Sequence, residues 1–370
     1  MNRREYCIII SLFINICACA YADVLNLDNY KQDFIVALKQ IRVPQYPGAF
    51  NASIIRWKES LLLCFRVRNE KMVSTFDIGF VWLDDNFDPM SIPRILEIRD
   101  ENPACLHQKQ DPRLIILHDK LYILYSNFIK IDNIVTRRMF IAEVHDNNGA
   151  FYIVNPTCLH PFEGCGPRWE KNWVPFIYEN KMLLAYSLSP HRIFEPSLES
   201  GACTTNNSTT SLNCWNWGEL RGGTPAVKDG DEYVGFFHSS TNLATAQSQG
   251  KVMAHYVMGA YTFSAKPPFD ITRMSQQPIV AETFYHEPYY TTWKPLRVVF
   301  PVGLLNEKGY FWVTYGRQDF EIWVAKIDKQ RLYDSLIPCP RTTPKEQTHV
   351  YNPKIDILYS NYVSLYDDIS

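Results

Sequence analysis

The chain has 370 residues and carries 37 basic and 39 acidic side chains, which gives a formal net charge of −2. Because 46% of its residues are apolar and only 21% are charged, disordered and collagen-like chains are excluded. A sequence pI near 6.5 excludes a general nucleic-acid binder, which needs a basic surface. The content of 22 Tyr, 21 Phe and 9 Trp favours β-strands.

The N-terminus predicts a cleaved signal peptide over residues 1–22. Met1 to Arg4 is basic, the run from Cys7 to Cys19 is apolar, and Ala20 to Ala22 has an A-x-A cleavage pattern. The apolar run is shorter than the roughly 20 residues that a membrane span needs, so no span is expected after cleavage. We therefore expect a protein that is secreted or lies in the lumen of the secretory pathway (the periplasm in a bacterial host).

Seven of the ten cysteines remain after this cleavage. Cys158 with Cys165, and Cys203 with Cys214, are close enough in sequence to form disulfide bonds in an oxidising compartment. Spacing alone does not fix the connectivity, and an odd count leaves at least one thiol free or paired between chains.

Overlapping N-glycosylation acceptors begin at Asn206 and Asn207. They lie in the polar stretch 198–213, which is typical of an exposed loop, so this is the expected place for a glycan. Asn51 also starts an acceptor motif, but it introduces an apolar run and is expected to have another role.

A hairpin pattern recurs five times along the rest of the chain. Each copy has a polar residue, an apolar strand, a short turn and a second apolar strand that ends in polar groups. Residues 27–40, ahead of the first copy, are the one candidate for an amphipathic helix. The five copies cover residues 51–66, 111–126, 171–187, 221–238 and 299–319, and further strands are expected at 76–83, 139–144, 251–257 and 320–327.

This repeat predicts an all-β chain folded as a five-bladed β-propeller. The propeller is expected over residues 45–335 as a single domain, after an N-terminal extension at 23–44 and before a C-terminal tail at 336–370 that packs on it. A parallel α/β fold would need helical crossovers, which the sequence lacks. A β-sandwich is the structural alternative.

Propeller geometry brings the ends of the inner strands together at one mouth of the central channel, because neighbouring strand ends in a hairpin lie side by side. Polar residues stand at these predicted ends. The residues that begin an inner strand are Asn51, Asp111, Lys171 and Arg221, and those that end its partner are Arg66, Ser126, Ser187, His238 and Asp319.

Two of these positions suggest chemistry. Pro112 should hold Asp111 extended at the start of a strand, where apolar neighbours raise the pKa of a carboxyl group and suit it to general acid catalysis. The alternative for Asp111 is an ordinary turn hydrogen bond. Lys171 lies between Trp169 and Trp173, and charge beside aromatic planes suits a sugar or phosphate site. A surface ion pair with cation–π packing explains that pattern equally well.

The other positions carry weaker signals. Arg221 precedes two glycines, which permits close backbone approach but is also ordinary turn material. His238 ends an apolar strand, as many structural histidines do. A buried pair of Arg317 with Asp319 is the structural alternative to a role in binding. No set of His, Asp and Glu has the spacing of metal ligands, so no metal site is predicted.

Seven spaced motifs occur in an order that is typical of a known group of enzymes. They are Asn51-Ala-Ser, Arg66, Gln110-Asp111-Pro-Arg, Glu170-Lys171-Asn-Trp, Arg221-Gly-Gly-Thr-Pro, Phe237-His238 and Tyr315-Gly-Arg-Gln-Asp319. Through them, roughly residues 45–330 resemble the β-mannoside phosphorylases and mannosidases of glycoside hydrolase family 130. The chain is also similar to the related β-1,2-mannosyltransferases of glycosyltransferase family 108. It departs from the family pattern at Gln110, where Glu is usual, and at Phe237 to Ser239, where Tyr-His-Gly is usual.

The resemblance implies a five-bladed propeller enzyme that acts on β-linked mannosides of an oligosaccharide or glycan with inversion. Asp111 would be the proton donor, acting through a sugar hydroxyl. No cofactor is implied, and inorganic phosphate is the candidate co-substrate. The implied substrate-binding residues are Asn51, Arg66 and Asp319, to which we add Arg221, and the implied phosphate cradle is Lys171 and His238 with Arg168 or Arg138.

Three functions stay open at this point. The first is phosphorolysis or hydrolysis of β-mannosides, and hydrolysis needs a second carboxylate about 6.5–9.5 Å from the acid, for which Glu195 is the candidate. The second is a β-mannosyltransferase that uses GDP-mannose or mannose-1-phosphate in the secretory lumen. The third is a lectin-like propeller that binds glycans without turnover.

Overall fold

The computed structural model describes residues 24–69, 75–131, 133–160, 169–211, 215–292 and 294–339. This part of the chain is all-β, as predicted, with one short α-helix, α1 (Lys329–Ser335), and two 3-10 turns, at Leu27–Tyr30 and Ala246–Ser248. None of these helices is long or apolar enough to cross a membrane. The predicted signal peptide, Arg168 and nearly all of the predicted C-terminal tail lie outside the described residues.

The described residues form 25 strands, many of them only two or three residues long. Those of the first half are β1 (Ile35–Ile41), β2 (Phe50–Trp57), β3 (Ser60–Arg68), β4 (Phe76–Leu83), β5 (Arg94–Ile95), β6 (Glu97–Arg99), β7 (Gln110–Leu117), β8 (Lys120–Ile131), β9 (Ile134–Glu143), β10 (His145–Asn147), β11 (Ala150–Val154) and β12 (Thr157–Leu159). Those of the second half are β13 (Val174–Tyr178), β14 (Lys181–Leu188), β15 (His191–Pro196), β16 (Cys203–Thr209), β17 (Arg221–Gly222), β18 (Val227–Asp229), β19 (Glu232–Ala244), β20 (Val252–Ser264), β21 (Ile271–Met274), β22 (Leu296–Glu307), β23 (Tyr310–Arg317), β24 (Glu321–Asp328) and β25 (Ile337–Pro338).

Most of these strands belong to five antiparallel groups, which we call the first to fifth sheets. In order, they are β2-β3-β4-β5, β7-β8-β9-β12, β13-β14-β15-β16, β17 and β18 with β19-β20-β21, and β22-β23-β24-β1. A parallel pairing of β20 with β22 joins the fourth and fifth sheets, and β6, β10 and β11 form a small separate sheet. The outer strand of the fifth sheet is β1, the first strand of the chain.

The five predicted hairpins are confirmed. They are β2-β3, β7-β8, β13-β14, β18-β19 and β22-β23. In four of them both turn residues have positive φ, which is the backbone of the type I′ turn that matches strand twist. These turn pairs are Lys58-Glu59, His118-Asp119, Glu179-Asn180 and Lys308-Gly309.

Neighbouring sheets are linked near the start of their hairpins. The Leu114 N–H of β7 donates to Ser53 Oγ of β2 at 3.1 Å, which joins the first and second sheets. The Thr314 hydroxyl of β23 donates to the Ala52 carbonyl of β2 at 2.6 Å, which joins the fifth sheet to the first. Apolar side chains from facing sheets fill the space behind these links, so the core lies between sheets.

Three local predictions are wrong. Residues 27–40 form a 3-10 turn and β1 instead of a helix, because β24 supplies a strand partner. Strands β8 and β19 continue past Ser126 and His238, since β9 and β20 extend equally far beside them. The predicted glycan-bearing loop at 198–213 contains β16, which pairs with β15 at the edge of the third sheet.

The predicted disulfide bonds are not tested by the described residues. Cys158 and Cys203 are thiols in the structure, and their predicted partners Cys165 and Cys214 lie outside the described residues. Both pairings therefore stay predictions. Asn206, in β16, is exposed and remains the more accessible glycan acceptor.

Replacing Ile41 by Ala tests whether β1 completes the core between the fifth and first sheets. Ile41 is 3% exposed in a cluster with Leu305 and Ile322. Its truncation should lower the free energy of unfolding by about 2–5 kcal/mol, because it leaves a cavity. Val36, on the same strand, is 45% exposed, and Val36→Ala should cost less than about 0.5 kcal/mol. Urea unfolding followed by tryptophan fluorescence measures both, and equal losses would contradict this role of β1.

Candidate active site

Seven of the predicted site residues come together with two further arginines, although they belong to different sheets. Each one hydrogen-bonds to another member, shifts the pKa of another member through its charge, or has its own pKa shifted by other members. We call this group the polar cluster. It consists of Asn51, Arg66, Asp111, Arg113, Arg137, Lys171, Arg221, His238 and Asp319.

Left-handed backbone conformations recur in and beside the polar cluster. The φ angle is 47° at Asn51, 53° at Asp111, 64° at Asn172 and 51° at Asp319. Asn and Asp tolerate this region better than other L-residues. At Asn51 and Asp111 the pairing register also shifts, and such a bulge turns a side chain out of the ladder. The prediction that Pro112 holds Asp111 in an extended conformation is therefore wrong.

The carboxylate of Asp111 is buried and held by two donors. Asn51 Nδ2 lies 2.9 Å and Arg66 Nη1 lies 3.1 Å from Asp111 Oδ1. The guanidinium of Arg66 is itself fixed between two rings, with its Cζ 3.8 Å from the ring centre of Phe76 and 4.8 Å from that of Phe50. The first and second sheets thus fix one oxygen of Asp111, while its other oxygen forms no hydrogen bond within the described residues and is available to a ligand.

The charge state of Asp111 is set by competition between burial and neighbouring cations. Burial raises its pKa, but Arg66, the Asn51 amide, Arg113 and Arg137 together outweigh burial and lower the pKa below the ordinary aspartate value. The expectation of a raised pKa is wrong, because the cations come from other parts of the chain. In the free protein Asp111 is an ionised carboxylate at neutral pH.

Asp319 differs from Asp111 in its protonation. Burial is the largest influence and raises the pKa of Asp319 to about 6, with Arg66 opposing the shift and the Asp111 charge adding to it. Arg317, the alternative partner of Asp319, instead forms a buried ion pair with Glu321 at 2.6 Å. This arrangement leaves Asp319, which is partly exposed, available to a ligand.

Three cations of the polar cluster have no carboxylate partner among the residues that the structure describes. Within the described residues, Arg113, Arg137 and Lys171 form no ion pair. Arg137 Nη1 instead donates to the neutral Gln110 Oε1 at 2.6 Å and to Ser126 Oγ at 3.2 Å. Burial, then the charges of Arg137 and Arg221, lower the pKa of Lys171 to about 7. A lysine that loses its proton this easily indicates unneutralised positive charge, which favours a bound anion.

His238 contributes a neutral ring to the polar cluster. It is 2% exposed and packs 4.4 Å from the ring of Phe300. Burial, then Arg221 and Lys171, lower the pKa of His238 well below the ordinary value, so the ring does not add positive charge. Within the described residues its Nδ1 has no hydrogen-bond partner, and the same is true of Arg66 Nε and Arg137 Nε. Buried nitrogens of this kind suit the oxygens of a sugar or an oxyanion.

Arg221 lies at the partly exposed rim of the polar cluster. Its Nη2 donates to Glu219 Oε2 at 2.7 Å, and the side chain of Glu219 is mostly exposed. Arg221 still lowers the pKa of Lys171 and His238 through its charge. It therefore adds to the positive potential without being buried in the cluster.

Two predicted residues are not part of the polar cluster. Arg138 is the neighbour of Arg137 on β9 and points to the other face, where its Nη1 donates to Thr136 Oγ1 at 2.9 Å. Glu195 lies on β15 of the third sheet, beside the edge strand β16, and pairs with Lys181 at 2.8 Å. Arg138 and Glu195 thus do not face Asp111, whereas Arg137, which the sequence prediction missed, does.

The sequence could have distinguished Arg137 from Arg138. Side chains alternate between the two faces of a strand, so only one of two consecutive residues of β9 can face Asp111. Arg113 was also missed, although it stands in the Asp-Pro-Arg motif. A search of the described residues finds no group of three or more His, Cys, Asp or Glu side chains that could hold a metal ion.

Comparison with known proteins gives a short match in sequence. No family model matches the chain. A stretch of 64 residues is 36% identical to β-mannosyltransferase 2 from Komagataella phaffii, and it covers 16% of this chain and 10% of that protein. The chain thus matches about a tenth of the length of this curated relative.

Comparison of structures gives matches over most of the chain. A mannose phosphorylase from Leishmania mexicana, in complex with phosphate ion, has a TM-score of 0.56 and 11% identity and covers 86% of this chain and 96% of its own. A structure from the GH130 family of mannoside phosphorylases, described as containing glycoside hydrolases that target β-1,2 mannosidic linkages in Candida mannan, has a TM-score of 0.55 and 12% identity, with 84% and 94% covered. A GDP-mannose-dependent mannosyltransferase from Leishmania mexicana has a TM-score of 0.50 and 11% identity, with 82% and 92% covered. The predicted resemblance to these two enzyme groups is confirmed, and at this identity it shows a shared fold.

The pKa of Lys171 predicts how anion binding depends on pH. A bound anion favours the charged ammonium, so sulfate should bind most tightly below pH 7. Each pH unit above about 7 should weaken sulfate binding by up to about tenfold, because one proton is linked to binding. In Lys171→Met, binding should be weaker and this pH dependence should be lost. Titration calorimetry with sulfate, which does not itself titrate in this range, measures both.

Asp319→Asn is the control for this prediction. Asp319 gains negative charge as the pH rises through about 6, and this change also weakens anion binding. The Asn variant should lose the step near pH 6 and keep the step near pH 7. A wild-type sulfate affinity that is flat between pH 7 and 9 would contradict the assignment to Lys171.

Proposed function

We propose that this protein is a carbohydrate-active enzyme that transfers a mannosyl group between a β-linked sugar and phosphate, with inversion at the anomeric carbon. The observation that carries the proposal is the buried Asp111 carboxylate beside Arg137 and Lys171, which have no carboxylate partner in the described residues. Cleaving a glycosidic bond needs a group such as Asp111 that transfers a proton. Binding a phosphate needs cations such as Arg137 and Lys171.

We further propose that the five sheets are the blades of a five-bladed β-propeller in a single domain. The links between hairpin starts run from the first sheet to the second and from the fifth back to the first, as a ring requires. The polar cluster would then lie at the mouth of the central channel, and β1 would close the last blade.

In phosphorolysis, a phosphate oxygen attacks the anomeric carbon while the bond from that carbon to the glycosidic oxygen breaks. The leaving oxygen takes a proton that originates from the Asp111 carboxyl group, directly or through a sugar hydroxyl, and Asp111 becomes a carboxylate. Asn51 and Arg66 keep Asp111 in place, and Asp319 and Arg221 would bind sugar hydroxyls. In the reverse reaction Asp111 accepts the proton of the acceptor hydroxyl, so one residue serves both directions.

The phosphate would be held by Arg137, Lys171 and His238. Phosphate is already an anionic nucleophile, so it needs cations to position it and no strong base to activate it. A bound dianion would also neutralise the cations around Asp111. It would thereby raise the pKa of Asp111 and let the carboxyl group carry the proton that phosphorolysis requires.

Hydrolysis is less well supported by the geometry. An inverting hydrolase needs a carboxylate to activate water opposite the acid. Glu195 is ion-paired with Lys181 and is not among the charges that shift the pKa values of Asp111, Lys171, His238 and Asp319. Asp319 is the other carboxyl group in the polar cluster, and its pKa of about 6 makes it the better candidate for a general base. The cations beside Asp111 still favour phosphate over water as the nucleophile.

A β-mannosyltransferase is the second candidate. In the free protein Asp111 is ionised, which is the form that accepts a proton from an acceptor hydroxyl. The positive side of the polar cluster would equally hold the phosphates of GDP-mannose. The predicted signal peptide favours this candidate, because we propose that the protein is secreted or lumenal, where glycans are assembled. A glycan-binding protein without turnover is the third outcome of the test below.

Product analysis with β-mannobiose separates these functions. Phosphorolysis gives mannose-1-phosphate only when phosphate is added, hydrolysis gives free mannose without phosphate, and a transferase elongates an acceptor from GDP-mannose or mannose-1-phosphate. Asp111→Asn should reduce turnover by about 10²–10⁴-fold, because it removes the proton-transferring group and keeps the shape. The matched control Glu195→Gln should keep the wild-type rate. Binding of mannosides without any product would leave only the lectin-like function.

A further inference from the structure

Arg113 is fully buried, and its guanidinium reaches three sheets. Its Nη1 donates to the carbonyl of Asp111 at 3.0 Å, within the second sheet. Its Nε donates at 2.6 Å to the carbonyl of Gly223, which directly follows β17 of the fourth sheet. Its Nη2 donates at 3.2 Å to Oδ1 of Asn172, which lies two residues before β13 of the third sheet. One side chain therefore contacts three segments that are distant in sequence.

These three contacts fall beside the residues to which the proposed function gives a role. Asp111 is contacted through its own carbonyl. Asn172 directly follows Lys171, and Gly223 lies two residues after Arg221. None of the three acceptors is a carboxylate, so the contacts fix backbone and amide positions and do not neutralise the charge of Arg113.

The desolvation of the buried Arg113 guanidinium is unfavourable, which is unexpected for a residue that only stabilises the fold. Burial lowers the pKa of Arg113 to about 10, so the group is still charged at neutral pH. Desolvation of a buried charge without an ionic partner is strongly unfavourable, and an apolar side chain of similar volume would avoid this penalty. A planar fork with fixed N–H directions, in contrast, can hold three acceptors in one relative geometry.

We propose that Arg113 is the positioning residue that fixes Asp111, Lys171 and Arg221 relative to one another. The proposal rests on the proposed function, since it gives Arg113 no contact with substrate and a role only through those three residues. The acceptors suit this role. Asn172 has a left-handed backbone, which directs its side chain to Arg113. A Cβ at Gly223 would lie 2.3 Å from the Phe236 carbonyl oxygen, so the backbone can pass through this position only as glycine.

Arg113→Lys distinguishes positioning from charge, because lysine keeps the positive charge and cannot span three acceptors. Phosphorolysis of β-mannobiose by this variant should show a kcat about ten- to hundredfold lower, since small misplacement of a catalytic group has effects of this size. The KM for β-mannobiose should change less than threefold. Asn172→Gly removes one acceptor and keeps the left-handed backbone, and it should raise the KM for phosphate with little change in kcat.

Hydrogen exchange supplies a readout that does not depend on turnover. In Arg113→Lys, amide exchange should become faster in the segments 170–173 and 221–224 together, because both lose their hydrogen bond to the Arg113 guanidinium. Ile41→Ala is the control that lowers stability elsewhere, between the fifth and first sheets. It should leave kcat and the exchange of these two segments unchanged at temperatures where it is folded.

The outcomes separate this proposal from the proposed function. If wild-type protein turns over no mannoside or mannosyl donor, the proposed function fails, and exchange in the two segments decides the role of Arg113. Wild-type kcat and wild-type exchange in Arg113→Lys would overturn the positioning role. A general rise of exchange across all sheets would also overturn it, since that is the result of a merely structural residue. If Arg113→Lys does not fold, Asn172→Gly carries the test, and unchanged exchange at 221–224 and an unchanged KM for phosphate would contradict the proposal.

Discussion

The polar cluster is organised by an imbalance of buried charge. Asp111 and Asp319 face more guanidinium and ammonium groups than two carboxyl groups can neutralise. These cations lower the pKa of Asp111, whereas burial outweighs them at Asp319 and raises its pKa. Burial and neighbouring cations together bring Lys171 close to neutrality at physiological pH. Such an arrangement is costly in an empty site and becomes favourable when an anion enters, because the anion replaces the missing carboxylate. Ligand binding and the stability of this region are therefore thermodynamically linked.

Asn and Asp occupy the positions beside several sheets where the backbone is left-handed. Asn51, Asp111, Asn172 and Asp319 all have positive φ where a sheet begins or ends. Asn and Asp are the non-glycine residues that accept this conformation most readily, and they also offer oxygens or an amide to a ligand. The residues that suit the left-handed backbone at these positions are thus also the ones that carry functional groups. Replacing one of them by Ala or a β-branched residue would add backbone strain to the loss of the polar group.

The hairpins could be predicted from local sequence patterns, but the pKa shifts in the polar cluster could not. Alternation and turn residues belong to neighbouring positions in the chain, so the five strand pairs could be read from sequence. The direction of the Asp111 pKa shift depends on Arg66 and Arg137, which other strands supply. Arg137 and Arg138 differ only in the face of β9 they occupy, and the register that decides this is a tertiary property. Residues 27–40 resembled a helix because their strand partner lies about 290 residues away.

That distant partner has a consequence for biosynthesis. Strand β1 is synthesised well before its partner β24, which lies near the end of the described chain, at Glu321–Asp328. Until then both edges of β1 carry unpaired N–H and C=O groups, a known route to mispairing with other chains. Closing so long a loop is also slow compared with forming a local hairpin. These backbone groups of β1 therefore stay unpaired until about 280 further residues have been synthesised.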